Sequence, residues 1–349
     1  MTGARPLDGI RVVDFSWFGA GPIAGRTLAD FGAEVIRVES EARIDSLRIG
    51  QPMPPGKTDS YNLSGYFNNF NAGKLSFLLN MNAERAQEVA YRIVERCDVF
   101  LTNHTPRVLA KWDMGYEKLR EINPQIVAAY QPMQGVEGPH RDFLGFGAVL
   151  TPISGLSHLS GNPERLPFGV GTNYPDYALN PGHTVVAIVA ALRHRERTGQ
   201  GQMVELAQIE SVASTLGPAL LDYSVNGRVQ TRAGNRSSWM APHGVYRCLD
   251  EARSHPPEPG QNVEARERWI ALAVGGDAEW SALRGVAGAA SFVDEDRFET
   301  ILGRREHEAA LDAALAEWTA SQSASELEAT LQAAGVPTAL VRDAEDMLD

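Results

Sequence analysis

The sequence predicts an α/β protein: a large Rossmann-like domain on a parallel sheet, followed by a smaller α+β domain. Two observations carry this. Short apolar runs alternate with helix-period segments through the first two hundred residues, the order that builds a parallel sheet with right-handed crossovers. After about residue 225 the texture becomes polar and glycine-containing, then resumes as a shorter set of strands and helices.

Residues 10–15, Ile-Arg-Val-Val-Asp-Phe, read as a buried strand. The turn Gly19-Ala20-Gly21-Pro22 follows, then a helix from Ile23 to Phe31 closed by Gly32. Val35–Glu39 is the next strand, which completes a βαβ unit. Further strands are expected at Leu75–Leu79, Val99–Thr102, Ile126–Tyr130 and Met203–Leu206. The helix Ala83–Arg96 has Ala86, Val89, Ala90, Ile93 and Val94 at helical spacing. Tyr116–Ile122 is a second helix. Asn180-Pro181 opens a long one through Arg197 that Gly199 ends, with Asn180 suited to cap it. These elements place the large domain at residues 1–207, a linker helix at 208–228 and the small domain at 229–349. In the latter, residues 250–268 are charged and proline-rich and read as a surface loop. A strand at Trp269–Val274 and helices at Ala278–Leu283, His307–Thr319 and Ala324–Ala334 complete it.

Composition narrows the function. Apolar residues are 43% and charged residues 22% of the chain, with a net charge of −12. A phosphate backbone would be repelled, so nucleic acid is not the expected partner. The cysteines number 2, Cys97 and Cys248, which points to a reducing cytoplasm rather than a disulfide-stapled secreted scaffold. No apolar stretch has the length of a membrane span. The 8 histidines form no His-Glu-x-x-His run, so no metal site is expected. There is no Gly-x-Ser-x-Gly nucleophile elbow.

Gly19, Gly21 and Gly25, with Glu39 ending the next strand, approximate a dinucleotide fingerprint, but the spacing G-x-G-x-x-x-G is wrong and Pro22 interrupts it. A helix N-terminus at the carboxyl end of a parallel strand still suits a phosphate-bearing ligand. Asp176, in Asn173-Tyr174-Pro175-Asp176-Tyr177, falls on a loop just before the long helix. On its own it reads as a turn aspartate favoured by the helix dipole.

The ordered set of motifs resembles the class III coenzyme A transferases, the family of the formyl-CoA, carnitine and benzylsuccinate CoA-transferases. Its marks are Pro6–Phe15, Ala20-Gly21-Pro22, Leu28–Glu39, Asn69–Ser76, Asp98–Asn103, Arg197–Gln202, Ala241–Tyr246 and Ala334–Pro337. The resemblance implies two chains interlocked as a dimer, with a homodimer expected and a heteromer as the alternative. It implies that Asp176 is the nucleophile, because a carboxylate can become half of a mixed anhydride and then of a thioester. Its ionised form would be favoured by the neighbouring helix N-terminus. Coenzyme A and its thioesters enter as substrates, with no resident cofactor, and succinyl-CoA is the default donor. The CoA contacts of relatives fall on Gly19, Ala20, Leu79, Asn103, His104, Thr105 and Lys111, with Lys111 a candidate for a phosphate.

Some positions depart from the pattern. Formyl-CoA transferases carry Gln where this chain has Gly19, Arg where it has Ser40, and glycines where it has Arg236-Ser237-Ser238-Trp239. Oxalate and formate are therefore not the expected acids, and a larger, partly apolar acid is. Relatives also continue past the position of Asp349 with a segment that returns to the large domain. Two rival readings share the fold. In an α-methylacyl-CoA racemase a histidine would stand at Phe146; a non-catalytic partner subunit would have no need of Asp176.

Overall fold

The computed structural model describes residues 5–50, 52–56, 60–170, 173–252 and 265–348. It divides into two compact units, one of Met1–Gly161 and Arg165–Arg232, the other of Asn162–Glu164 and Ala233–Asp349.

In the first unit six strands form one sheet in the order β3-β2-β1-β4-β5-β6. They are β1 (Arg11–Asp14), β2 (Glu34–Glu39), β3 (Leu75–Leu78), β4 (Val99–Thr102), β5 (Val127–Tyr130) and β6 (Gln202–Glu205). Every pairing is parallel. Alternate residues explain why helices cover both faces. Val12, Val99, Leu101, Val127 and Ala129 pack on Leu28, Ile188 and Leu192 from one side. Val13, Phe100, Ala128 and Tyr130 pack on Val94, Leu109 and Leu119 from the other. A strand buried on both faces reads as a continuous apolar run, as these do. The strand order reverses direction between β1 and β4, so their carboxyl ends diverge and open a crevice where α/β proteins place ligands.

The second unit holds a three-stranded antiparallel sheet of β7 (His243–Arg247), β10 (Trp269–Ala273) and β11 (Thr338–Leu340), in the order β11-β10-β7. Ile270 and Leu272 pack with Trp280, Phe292, Leu311, Leu315 and Leu331 of its helices in a separate core. Much of the expected surface loop, residues 253–264, lies outside the described residues. Its ends do not behave as a solvated loop. β8 (Glu251–Ala252) pairs with β9 (Ala265–Arg266), and Arg266 and Arg268 are buried against Asp343, Asp346 and Glu251.

Other differences from the sequence reading are local. The first helix begins at Ala20, three residues earlier than expected, with Pro22 in its first turn. Residues 208–226 form two helices and a short helical turn belonging to the first unit. Helices at Pro106–Trp112 and Gly147–Ile153 were not anticipated; each is 7 residues long, too short for a full apolar period. Among the described residues no helix is long and apolar enough to cross a membrane.

Candidate active site

Asp176 sits in a single π turn, Pro175–Leu179, that runs directly into the helix Asn180–Thr198. Wider turns of this kind recur at functional positions because they re-aim one side chain. Here the turn is clamped by Tyr177, whose ring lies 5.6 Å from that of Phe70 and 6.5 Å from that of Tyr66. Asp176 faces the other way and is 3% exposed. The expected loop is thus a helical turn. Asn180 does not cap the helix: it has helical backbone angles and is fully buried.

The carboxylate is held by two donors. The Gly147 amide donates to Oδ2 at 2.7 Å, and the Asn180 side chain also hydrogen-bonds it. Asn180 is fixed in turn. Its Nδ2 donates to Gln208 Oε1 at 3.2 Å, and Ser211 Oγ donates to its Oδ1. Gln208 Nε2 donates to the Gln131 carbonyl at 2.8 Å, and Gln131 Nε2 to Thr184 Oγ1 at 2.8 Å. This chain of buried amides locks the carboxylate from behind. Burial pushes the Asp176 carboxyl up to about 6, and the Gly147 and Asn180 hydrogen bonds pull it back towards the ordinary range. Burial therefore outweighs the help expected from the helix N-terminus.

Gly19, which leaves β1, approaches from the front. A Cβ on Gly19 would lie 3.2 Å from the Asp176 Cβ, so only glycine lets this backbone come so close without displacement. The preceding loop is pinned to its neighbours. The Trp17 amide donates to Asn103 Oδ1 at 2.8 Å, and Asn103 Nδ2 donates to the Trp17 carbonyl at 2.7 Å. The Phe18 amide donates to Asp45 Oδ2 at 3.2 Å. Asp45 is itself paired with the buried Arg37 at 2.5 Å. Phe18 accordingly holds a left-handed φ of 66°.

A cavity of about 320 Å³ opens in front of Asp176, with Gly19, Ala20, Asn103, His104 and Thr105 in its wall. A second cavity, also about 320 Å³, contains Leu79, His104 and Lys111. The two share Trp17, Arg43, His104 and Val108, so they form one elongated crevice at the β1/β4 switch point. All of the candidate residues taken from the sequence line it. They differ in what they offer. The Asn103 amide is spent on the Trp17 backbone. Thr105 Oγ1 and His104 Nε2 are buried without a hydrogen-bond partner. Burial pushes the His104 imidazole down to about 4, so it is neutral at ordinary pH. Lys111 Nζ donates to Asn82 Oδ1 at 2.8 Å.

The sequence reading missed Arg43, whose guanidinium lies over the Trp17 ring at 5.0 Å, and Arg107 and Gln208 in the same wall. Arg107 stands two residues past Thr105 and was within reach of the motif. Arg43 follows Ser40 in an irregular stretch with no pattern to mark it. Among the described residues no cluster of His, Cys, Asp or Glu could hold a metal ion.

Fold and site together define an α/β protein with an elongated crevice at its switch point, basic residues along it and a buried carboxylate at one end. The family model of CoA-transferase family III matches residues 7–255 and 252–349. The chain belongs to that family and is a CoA-transferase. It is 30% identical to succinyl-CoA–D-citramalate CoA-transferase of Chloroflexus aurantiacus, over 99% of this chain and 80% of that protein. It is 29% identical to succinate–glutarate CoA-transferase of Agrobacterium fabrum, over 98% of this chain and 81% of that protein. A CaiB/BaiF family protein from Brucella suis has a similar structure, with a TM-score of 0.85 at 29% identity, covering 99% of this chain and 86% of that one.

Proposed function

We propose that this enzyme passes CoA from an acyl-CoA to a free carboxylic acid through a covalent thioester on Asp176. The observation that carries this reading is a buried carboxylate, held by the Gly147 amide at 2.7 Å, at the end of the open crevice.

An Asp176 oxygen attacks the donor acyl carbon; the C–S bond breaks and CoA leaves as thiolate. The product is a mixed anhydride. The thiolate then attacks Cγ of Asp176, the bond from Cγ to the bridging oxygen breaks, and the donor acid departs as carboxylate. The aspartyl-CoA thioester remains. An acceptor carboxylate attacks Cγ and displaces thiolate. Attack of thiolate on the acceptor acyl carbon then releases the new acyl-CoA and restores the carboxylate. No proton is gained or lost over the cycle. The Gly147 amide is placed to bind the oxyanion that develops on Cγ. His104, neutral and buried, is suited to line the crevice rather than to carry charge.

CoA would lie along the crevice, with Arg43, Arg107 and Lys111 available to its phosphates. Gly19, Ala20, Leu79, Asn103, His104 and Thr105 would form its walls. The succinyl-CoA–D-citramalate enzyme among its relatives makes succinyl-CoA the first donor to try. A racemase would need a second proton-transfer group opposite Asp176, and Phe146 in the cavity wall cannot supply one. The intact carboxylate and its hydrogen bonds weigh against a non-catalytic subunit.

An interlocked homodimer, working in the cytoplasm, completes the proposal. Its support is the helix Gly217–Asn226, which buries none of its residues and presents Leu220, Leu221, Tyr223 and Val225 to the outside, a patch of the kind that an obligate partner covers.

Incubation with succinyl-CoA and related thioesters, followed by hydroxylamine, should convert Asp176 to its hydroxamate, read as a mass change in the peptide that holds it. Asp176→Asn should show none. Bound CoA thioester with unmodified Asp176 would rule the reading out.

A further inference from the structure

Two Phe-Gly pairs from separate loops meet on Asp176. The glycines touch the carboxylate side chain: a Cβ on Gly19 would lie 3.2 Å from the Asp176 Cβ, and one on Gly147 would lie 3.0 Å from Oδ2. The residues just before them, Phe18 and Phe146, stack with ring centroids 5.2 Å apart and planes 25° from parallel. Phe18, Phe146 and Asp176 line one cavity. Phe146 is 44% exposed, and both rings line the cavity along with Met133, Phe143 and Leu144.

Burial and the Gly147 and Asn180 hydrogen bonds set the balance at the Asp176 carboxyl. Of the cations of the crevice, Arg43 and Arg107 share this cavity and Lys111 lies in the other. Arg43 lies over Trp17 and Lys111 is bonded to Asn82, while Arg107 belongs to the helix Pro106–Trp112.

An acyl group joined to Asp176 must begin within a bond length of this carboxylate. A short dicarboxylic acid would then bring a second carboxylate against two phenyl faces, which carry negative charge density. A flat apolar group would instead replace water on the exposed face of Phe146.

On the reading that Asp176 is the nucleophile, we infer that the Phe18–Phe146 stack is the acyl-group wall, and that the acid this enzyme favours is a monocarboxylic acid with a flat apolar group near its carboxyl end, such as an aryl-substituted short chain.

The test measures the second-order rate at which 3-phenylpropanoyl-CoA and succinyl-CoA each deliver the same Asp176 thioester, trapped as the hydroxamate. The expected result is at least about a tenfold advantage for the aryl thioester. Phe146→Arg, which puts a cation on the wall, should shift the ratio towards succinyl-CoA by about tenfold or more. If that variant does not fold, Phe146→Leu should slow the aryl thioester by about tenfold more than it slows succinyl-CoA. Equal or faster reaction of succinyl-CoA with the parent enzyme would overturn the substrate class and leave the nucleophile standing, as would a ratio unmoved by the variants. Failure of every thioester to modify Asp176 would overturn both.

Discussion

The amide of Gly147 donates to Oδ2 of Asp176 across 2.7 Å, so the first residue of one short helix secures the carboxylate presented by the turn that precedes another. This bond and that from Asn180 work against burial, which nonetheless raises the carboxyl from 3.8 to about 6. On the proposed mechanism the nucleophile is the ionised form. Formation of the Asp176 hydroxamate should be level above pH 7 and fall about tenfold per unit below pH 6. A rate profile between pH 5 and pH 8 measures this; a midpoint near the ordinary carboxylate value would mean that burial does not govern the group.

The same shift has a stability cost. Between pH 3.8 and about 6 the folded state binds more protons at Asp176 than the unfolded state does, so stability from this group falls as pH rises through that window and stays low above it. Asp176→Asn should therefore unfold at higher denaturant than the parent at pH 7.5, by on the order of 2 kcal/mol. The gap should narrow as pH approaches 4. Urea melts at both pH values read it directly.

Asn180 links Asp176 to the buried amides behind it. Asn180→Ala removes a donor to the carboxylate and leaves Gln208 Oε1 without its partner. The expected outcome is a drop in kcat of about ten- to a hundredfold, a smaller change in KM for acyl-CoA, and a pH midpoint moved upward. A stability loss with an unmoved midpoint would make the residue merely structural.

Arg43 lines both cavities of the crevice, and Lys111 lines the one that lacks Asp176. If they meet the phosphates of CoA, Arg43→Ala and Lys111→Ala should each raise KM for a CoA thioester by about tenfold, with kcat affected less. The effect should diminish at high salt. Steady-state kinetics at two ionic strengths separate this outcome from damage to the reacting end.

Lys74 is buried with Asp14 against the helix that begins at Ala20. Its Nζ donates to Asp14 Oδ2 and the Pro22 carbonyl at 2.8 Å each, and to Asn71 Oδ1 at 3.0 Å. Lys74→Met would leave the Asp14 charge buried and unpaired, costing about 3–5 kcal/mol. Chemical denaturation should show most of that loss recovered in the double variant Asp14→Asn, Lys74→Met.

Much of the large unit was legible because strands buried on both faces leave unbroken apolar runs. Val99–Thr102 and Tyr116–Ile122 occur where periodicity puts them. The short helices at Pro106–Trp112 and Gly147–Ile153 were not legible, since glycine, proline and brevity hide the period. Asp176 could be singled out only through the family motif, as a lone aspartate before a helix carries no signature. That it sits in a π turn, and that Asn180 braces it rather than capping a helix, depends on packing against Phe70 and Gln208. No local pattern encodes those contacts. Arg43 was missed for the same reason: its place over Trp17 is set by the meeting of the loops that follow β1 and β2.

The central claim, that Asp176 exchanges its own oxygen during transfer, can be tested by isotope. The acceptor acid, labelled with oxygen-18 at both carboxyl positions, would be carried through a single turnover and the peptide containing Asp176 weighed. The mechanism leaves the bridging oxygen of the second anhydride on the aspartate, so one heavy oxygen should appear at Asp176. Turnover to labelled acyl-CoA with no heavy oxygen in that peptide would contradict it.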